Sequence, residues 1–231
     1  MKIGIIGAGQ IGGTLTRRLT RLGHDVYVAN SRGPASLAAL AKETGAKAVE
    51  VREAARAGEV VVVTIPEGKI PSLPKDLFAG VSKDVVIIDT GNYYPRERDG
   101  RIAEIEAGVT ESRWVANQLG RSVVKAFNNI YAKHLLELGR PAGSPGRYAL
   151  PVAGDDVQAK ATVMGLVNEL GFDPVDAGGL DDSWRQQPGT PVYGPDFDAE
   201  GVRLALGQAW KKRGPQFRGT EKSPGTFDQP A

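Results

Sequence analysis

The chain has 231 residues, no cysteine, and 29 basic against 27 acidic side chains, which give a formal net charge of +2. A hydrophobic fraction of 41% is enough for a buried core, so the composition predicts a globular protein. The missing cysteines exclude disulfides, iron–sulfur clusters and thiolate catalysis, and the balanced charge argues against broad attraction to nucleic acid or membrane.

The first predicted strand, residues 2–7, runs directly into Gly7-Ala8-Gly9-Gln10-Ile11-Gly12, and a helix-patterned stretch follows. A GxGxxG sequence between a strand and a helix is a dinucleotide-binding fingerprint. Gly7 allows a tight turn, Gly9 lets the backbone approach a pyrophosphate, and Gly12 lets the helix pack closely on the strand. The N–H groups at the helix start, around Gln10 and Ile11, would face the phosphates. The alternative is a glycine-rich turn that binds nothing.

The end of the second predicted strand, residues 25–30, indicates which dinucleotide is bound. NAD sites have an acidic residue there, but this chain has Asn30-Ser31-Arg32. An arginine can donate two hydrogen bonds to a 2′-phosphate, which a carboxylate would repel. The sequence therefore predicts NADP(H), with Asn30, Ser31 and Arg32 in the site. The alternative is an ordinary surface arginine at the start of a loop.

Further predicted strands at 46–49, 59–65, 85–89 and 121–126 alternate with helices, one of them from Pro34 to Thr44. This alternation predicts an α/β fold, a Rossmann-type doubly wound and mainly parallel sheet with a small C-terminal extension. The extension has predicted strands at 148–153 and 172–176 and helices at 156–170 and 199–212. In the first of these helices, Val157, Ala161, Met164, Val167 and Leu170 are predicted to face inward.

These elements suggest a three-part organisation. Residues 1–140 are predicted to be an NADP-binding Rossmann domain, and residues 141–213 to pack on it and line the acceptor site. Residues 214–231 contain few apolar side chains, so we expect a flexible tail. No apolar run reaches the length of a membrane span and Met1 leads directly into the first strand, so we expect a cytoplasmic protein.

Ligands of doubly wound sheets lie across the carboxyl ends of the strands. The residues at those ends are Thr64, Ile65 and Pro66 after the fourth strand, Asn92 after the fifth, and Ala126 and Asn128 at the sixth. We predict that all of them contact the cofactor, because the amides can hydrogen-bond to ribose or to the nicotinamide carboxamide. The alternative for the asparagines is turn formation.

The sequence offers few groups for proton transfer. Its two histidines lie at a turn and in a predicted helix, no tyrosine precedes a lysine by four residues, and no metal-ligand pattern is present. Hydride transfer between two ring systems needs no side-chain acid, because the protein mainly has to hold the rings stacked. A flavin or deazaflavin is therefore the expected second substrate.

Five segments together resemble a known family: Gly7 to Gly12, Asn30 to Arg32, Thr64 to Pro66, Leu150 to Asp156, and Val175 to Gly178. The chain resembles the coenzyme F420-dependent NADP oxidoreductases, and the cytosolic reductase domain of the six-transmembrane metalloreductases, over roughly residues 1–195. The resemblance implies that Ser31 and Arg32 hold the 2′-phosphate, that Ile65 and Pro66 pack along the dinucleotide, and that the protein is a homodimer. Asn128-Asn129 replaces a His-Thr pair of the deazaflavin enzymes.

The expected activity is hydride transfer between NADPH and a flavin or deazaflavin that resembles coenzyme F420. Candidate acceptor-site residues are Asn128, Trp184, Arg185 and Tyr193, although the last three also suit a rigid connection before the final helix. One alternative is an NADPH-dependent reductase of a small carbonyl or imine, and another is a non-catalytic NADP(H)-sensing module. The expected partner is a small-molecule hydride acceptor, with no nucleic acid, membrane or metal.

Overall fold

A computed structural model describes all residues, 1–231. Its main sheet has six parallel strands in the order β3-β2-β1-β4-β5-β6. The strands are β1 (Lys2–Ile6), β2 (Asp25–Ala29), β3 (Lys47–Ala48), β4 (Val60–Val63), β5 (Val86–Asp89) and β6 (Val124–Lys125). This is the Rossmann-type doubly wound order, so the predicted fold class is confirmed.

Eight helices flank the sheets. They are α1 (Gln10–Arg21), α2 (Ala38–Thr44), α3 (Val51–Ala55), α4 (Ala103–Glu106), α5 (Glu111–Leu119), α6 (Ala132–Glu137), α7 (Val157–Glu169) and α8 (Ala199–Gly207). No helix has the length and apolar character required to cross a membrane.

Strand β4 shows how the sheet is buried. Val60 and Val62 pack in one apolar core, and Val61 and Val63 pack in another on the opposite face. Successive side chains of a strand point to opposite faces, so a continuous run of valines is the pattern of a strand covered by helices on both sides. The strand order reverses between β1 and β4, where the glycine-rich loop and Thr64 meet.

A second sheet consists of β7 (Ala149–Val152) and β8 (Asp173–Asp176), which pair in parallel. It is joined to the main sheet by one antiparallel bridge, in which the N–H groups of Lys125 and Ala153 donate to each other's carbonyls at 2.8 and 3.1 Å. Helices α7 and α8 cover this smaller sheet. The predicted C-terminal extension is therefore continuous with the edge of the Rossmann sheet.

Three helices differ from their predicted form. The helix predicted from Pro34 begins as a 3-10 turn, Pro34–Leu37, and is α-helical only from Ala38. The last helix ends at Gly207 rather than at residue 212, because a glycine weakens helical continuation.

In helix α7, Val167 and Leu170 are buried as predicted and Met164 packs against the core. Val157, in the first helical position after the Asp156 cap, is however 75% exposed, and Ala161 is exposed too. The prediction that Val157 and Ala161 face inward was wrong.

The C-terminal residues, for which composition predicts a flexible tail, contact the Rossmann domain. They lie along a single π-helical turn, Pro95–Asp99, where the Gly225 N–H donates to the Arg96 carbonyl at 2.7 Å and Arg96 Nε donates to the Ala231 carbonyl at 3.0 Å. Phe227 packs edge-on against Tyr94 with ring centroids 5.8 Å apart. Backbone hydrogen bonds hold this segment where apolar burial is small.

We predict that Gly4→Ala destabilises the fold. A Cβ at Gly4 in β1 would lie 1.9 Å from the carbonyl oxygen of Ala54, so the backbone of α3 would have to move. The expected loss is about 1–3 kcal/mol in the free energy of unfolding, measured by urea denaturation. The control is Gly165→Ala in α7, where a Cβ meets no atom within 4 Å and about 1 kcal/mol should be gained. Equal stability of the two variants would contradict this packing.

Candidate functional site

The glycine-rich loop has the geometry of a phosphate cradle. Gly7 has φ +111°, and a Cβ there would lie 2.2 Å from the carbonyl oxygen of Thr64. A Cβ at Gly12 would lie 1.9 Å from the carbonyl oxygen of Gly7, so α1 packs on β1 more closely than another residue allows. A Cβ at Gly9 would meet no atom within 4 Å. The loop is therefore open above Gly9, where no side chain caps the free N–H groups of α1.

A cavity of about 570 Å³ lies over this loop, between the end of β2 and residues 64–74. Its volume suits a small-molecule ligand. Arg32 and Lys69 are its only charged lining residues, and it contains no carboxylate. The residues that line it are Ile6, Gly7, Ala8, Gly9, Asn30, Ser31, Arg32, Val51, Thr64, Ile65, Pro66, Lys69, Ser72, Leu73 and Pro74. An anionic dinucleotide fits this surface.

Asn30 shapes the loop that carries Arg32. Its Oδ1 accepts a hydrogen bond from the Arg32 N–H at 2.9 Å, and its Nδ2 donates to Ser36 Oγ at 2.9 Å. The Arg32 guanidinium is exposed and has no hydrogen bond or ion pair within the protein. Asn30 therefore positions a cation that is available to a ligand.

The predicted contacts at β5 and β6 lie outside this cavity. Asn128 is 4% exposed, and its Nδ2 donates to Asn92 Oδ1 at 3.1 Å and to the Gln186 carbonyl at 2.7 Å. Its Oδ1 accepts from Gln186 Nε2 at 2.9 Å, and its carbonyl accepts from Asn92 Nδ2 at 2.9 Å. Ala126 is fully buried. The structure thus assigns the polar groups of Asn128 to protein partners rather than to an open ligand surface.

Backbone strain and unpaired amide oxygens occur beside Asn128. Phe127 is the only residue other than glycine with a positive φ, +61°. Such a conformation stores about 1–3 kcal/mol and is concentrated at functional sites. The Oε1 of Gln186 and the Oδ1 of Asn129 are buried without a hydrogen-bond partner. Two buried amide oxygens beside the end of β6 therefore lack a hydrogen-bond donor.

Two tyrosines form a hydroxyl pair at the same edge of the sheet. The hydroxyls of Tyr94, after β5, and Tyr193 hydrogen-bond to each other. Burial raises the pKa of both phenols above its usual value, so both stay protonated at neutral pH. The Gly194 N–H, beside Tyr193, donates to the Asn129 carbonyl at 3.0 Å. Tyr193 therefore lies near the β6 end, as an acceptor-site residue should.

Trp184 and Arg185 lie elsewhere. Arg185 stacks over the Trp184 ring at 4.5 Å and donates from Nη1 to the Leu206 carbonyl at 3.2 Å, which ties this segment to α8. Trp184 lines a different cavity, and neither side chain hydrogen-bonds to Asn128 or Tyr193. The four acceptor-site candidates are therefore not brought together, because the short helix Leu180–Gln186 directs Trp184 and Arg185 away from the strand ends.

A buried charge cluster lies behind the strand ends and consists of Glu67, Asp89, Glu111, Lys125 and Arg213. Lys125 Nζ donates to the Gly91 carbonyl at 2.7 Å and to Glu111 Oε2 at 3.0 Å. Arg213 Nη2 donates to Glu111 Oε1 at 2.6 Å. Asp89 lies 3.8 Å from Lys125 and accepts from Ser112 Oγ at 2.6 Å. The two cations thus neutralise two carboxylates.

Glu67 is the one acidic side chain of this cluster that forms no hydrogen bond or ion pair. It is fully buried, and neither carboxyl oxygen has a hydrogen-bond partner. Burial, and then the negative charge of Glu111, raise the pKa of Glu67 well above its ordinary value. Burial also acts to raise the pKa of Glu111, but Lys125 and Arg213 outweigh it and lower that pKa. Burial acts to lower the pKa of Lys125, but Glu111 and Asp89 raise it overall. Glu67 is therefore protonated beside an ionised pair.

Two solved structures are similar over most of the chain. A hypothetical protein from Sinorhizobium meliloti is 33% identical, with a TM-score of 0.68 over 85% of this chain and 95% of that one. A candidate F420-dependent NADP reductase from Arthrobacter sp. FB24 is 25% identical, with a TM-score of 0.63 over 78% of this chain and 85% of that one. A sequence model of the coenzyme F420-dependent NADP oxidoreductases matches residues 2–93.

Residues 2–93 of the chain are therefore similar to this family. The chain is also 30% identical to the rat (Rattus norvegicus) metalloreductase STEAP3 over 182 residues, which are 78% of this chain and 34% of that protein. The chain spans between a third and about half of the length of the curated relatives that it matches. Imine reductase structures at 16–17% identity share the fold alone.

Sequence reasoning missed several residues of the site. Glu67, Lys125, Tyr94 and Gln186 were not singled out, and neither was Lys69. One signal was available, because Lys125 interrupts the apolar strand Val123-Val124-Lys125-Ala126-Phe127 and a lysine there requires a buried partner. The partner Glu111 lies on another element, which a local pattern does not reveal.

We predict that Glu67→Gln stabilises the protein increasingly as the pH rises. The folded-state pKa of Glu67 lies above the unfolded one, so the wild-type protein loses stability above the unfolded pKa, where only the unfolded chain is ionised. Glutamine removes this loss. The variant should gain about 1–3 kcal/mol near pH 8 and less near pH 5, measured by urea denaturation at both values.

The matched control is Glu104→Gln, at an exposed position in α4. Its stability difference from the wild type should stay small and nearly constant with pH. If the gain from Glu67→Gln is equally constant, Glu67 is not the protonated member of the cluster.

Proposed function

We propose that the chain is an NADP(H)-dependent oxidoreductase that transfers hydride between NADPH and a flavin or deazaflavin acceptor. The observation that carries the proposal is the cavity of about 570 Å³ over an open glycine-rich loop, with Arg32 and Lys69 in its wall and no carboxylate. The match of residues 2–93 to the sequence model of the coenzyme F420-dependent NADP oxidoreductases supports it.

The residues fit an NADP(H) dinucleotide. The N–H groups at the start of α1 would hold the pyrophosphate above Gly9. Ser31 and Arg32 would hold the 2′-phosphate, since Arg32 has no competing protein partner and no acid lines the cavity. Ile65 and Pro66 supply an apolar wall. NADPH supplies the hydride, and the chain's task is to orient it.

A flavin or deazaflavin acceptor is supported by two observations. The structure from Arthrobacter, described as a candidate F420-dependent NADP reductase, is 25% identical over most of its length. The strand ends of this chain carry amide and apolar side chains rather than an exposed histidine or lysine. This suits a ring acceptor, because such an acceptor mainly has to be positioned. Asn92, Ala126 and Asn128 would support the nicotinamide end, where Gln186 Oε1 and Asn129 Oδ1 are buried acceptors without partners.

The Tyr94–Tyr193 pair favours a second candidate, an NADPH-dependent reductase of a small carbonyl or imine. There the substrate carbon takes the hydride and the substrate oxygen or nitrogen takes a proton, which a neutral phenol can give as its O–H bond breaks. In this candidate Tyr193 is the donor and Tyr94 stabilises the phenolate that results. A sensing module without turnover is the remaining alternative.

We further propose a homodimer. Leu204 and Trp210, at the end of the chain's last helix and just beyond it, are 58% and 53% exposed, which leaves an apolar surface for a second copy. Light scattering that gives the mass of a monomer would contradict this.

We predict that Arg32→Gln weakens NADPH binding roughly 10- to 100-fold, because a charge-assisted hydrogen bond to the 2′-phosphate contributes about 1.5–3 kcal/mol. NADH affinity should hardly change. Isothermal titration calorimetry with both nucleotides measures this. The control is Arg203→Gln, which removes the same charge from an exposed position in α8. An equal loss for NADH and NADPH would show that Arg32 does not recognise the 2′-phosphate.

We expect the protein to oxidise NADPH anaerobically with coenzyme F420, FMN or FAD as the acceptor. With NADH as the donor instead, little turnover is expected. Absorbance follows the reaction, with ferric chelate and small carbonyls as the other acceptors. Tyr193→Phe should leave ring acceptors largely unaffected, because the phenol proton is not needed there. Turnover confined to carbonyls or imines, and lost in Tyr193→Phe, would favour the second candidate. Tight NADPH binding without any turnover would favour the sensing module.

A further inference from the structure

A second cavity, of about 530 Å³, lies at the N-terminal end of α5. It shares no lining residue with the nucleotide cavity. We call it the basic cavity, because its wall contains Lys211, Lys212, Arg213 and Arg218 against one carboxylate, Glu106. The family's nucleotide site does not account for it.

The carboxylate in the wall is already engaged. Glu106 Oε1 accepts the Gly219 N–H at 2.6 Å and the Tyr93 hydroxyl at 3.1 Å, and its Oε2 lies 3.6 Å from Arg218. Lys211 and Lys212 are exposed, and neither forms an ion pair. The cavity therefore keeps an excess of positive charge that no protein group neutralises.

Arg213 contributes a side chain to this wall that its protein contacts hold in place. Its side chain is only 9% exposed, packs over the Tyr93 ring at 5.4 Å, and uses Nη2 for its bond to Glu111. Its Nη1 is buried and has no hydrogen-bond partner. A buried guanidinium N–H without an acceptor is unfavourable, and an anion in the cavity would relieve this.

The apolar part of the wall indicates more than a simple anion. Ile105, Val109 and Trp184 line the same cavity, and its volume far exceeds that of a phosphate ion. Arg185 stacks on the Trp184 ring and holds the indole in place. A planar group could pack against such a fixed aromatic side chain.

We propose that the basic cavity binds an organic phosphate, with its phosphate on Lys211, Lys212 and Arg213 and an aromatic group against Trp184. This site goes beyond the proposed hydride transfer and does not depend on it. Binding would engage Nη1 of Arg213 and so act on the residue that also pairs with Glu111 in the buried charge cluster.

The test uses 1-naphthyl phosphate, which combines a ring with a phosphate and cannot accept hydride. Calorimetry on the full chain without NADPH compares it with 1-naphthol, which lacks the phosphate, and with inorganic phosphate, which lacks the ring. We expect the combined ligand to bind most tightly. Equal affinity for 1-naphthol would overturn the phosphate contacts, and absence of 1-naphthyl phosphate binding at millimolar concentration would overturn the site.

Variants locate the binding. Lys211→Gln with Lys212→Gln should weaken 1-naphthyl phosphate binding about fivefold, whereas the matched pair Lys42→Gln with Lys133→Gln, both exposed and unpaired, should not. Trp184→Leu should weaken 1-naphthyl phosphate but not inorganic phosphate. Equal effects of the two lysine pairs, or a loss of binding in Arg32→Gln, would place the ligand elsewhere and overturn the proposal. None of these readouts requires turnover, so failure here is distinct from failure of the hydride-transfer proposal.

Discussion

The buried ammonium group of Lys125 links β6 to the two segments that follow and support the ends of the neighbouring strands. The residue is fully buried in β6, and its backbone pairs with Ala153 to attach the second sheet to the first. Its Nζ donates to the Gly91 carbonyl in the loop after β5 and to Glu111 at the start of α5. Removing one partner of a buried ion pair leaves an uncompensated charge and costs about 3–5 kcal/mol. This side chain therefore contributes to holding the strand ends of the candidate site in position.

The same charge network lies between the two cavities. Glu67 directly follows Pro66, which lines the nucleotide cavity, and Arg213 lines the basic cavity while it holds Glu111. The negative charge of Glu111 raises the pKa of Glu67, which follows the nucleotide cavity in sequence, so the pairing of Glu111 influences that pKa. These charges are buried, so solvent screens the interactions among them only weakly.

The sequence predicted those parts of the fold and site that rest on local rules. The predicted strand at 59–65, the steric requirements of Gly7 and Gly12, and the predicted helix end at Thr44 each rest on one local cause: a run of buried valines, close packing, and a left-handed cap at Gly45, with φ +79°. The burial of Glu67 and its neutral state could not be predicted in this way, because they depend on charges from α5 and β6. The same holds for Trp184 and Tyr193, which lie nine positions apart in sequence: Trp184 lines the basic cavity, whereas Tyr193 hydrogen-bonds to Tyr94 at the strand ends.

The satisfied hydrogen bonds of Asn128 bear on how an acceptor could be recognised. The side-chain amide of Asn128 hydrogen-bonds to Asn92 and Gln186. It contacts a ligand only if these hydrogen bonds are exchanged. Gln186 and Asn129 instead keep buried oxygens without donors, beside the strained backbone of Phe127. Unpaired buried acceptors are unfavourable and are rarely retained without a partner. The Asn92–Asn128–Gln186 network encloses these acceptors, so an external donor reaches them only if the network's hydrogen bonds are exchanged.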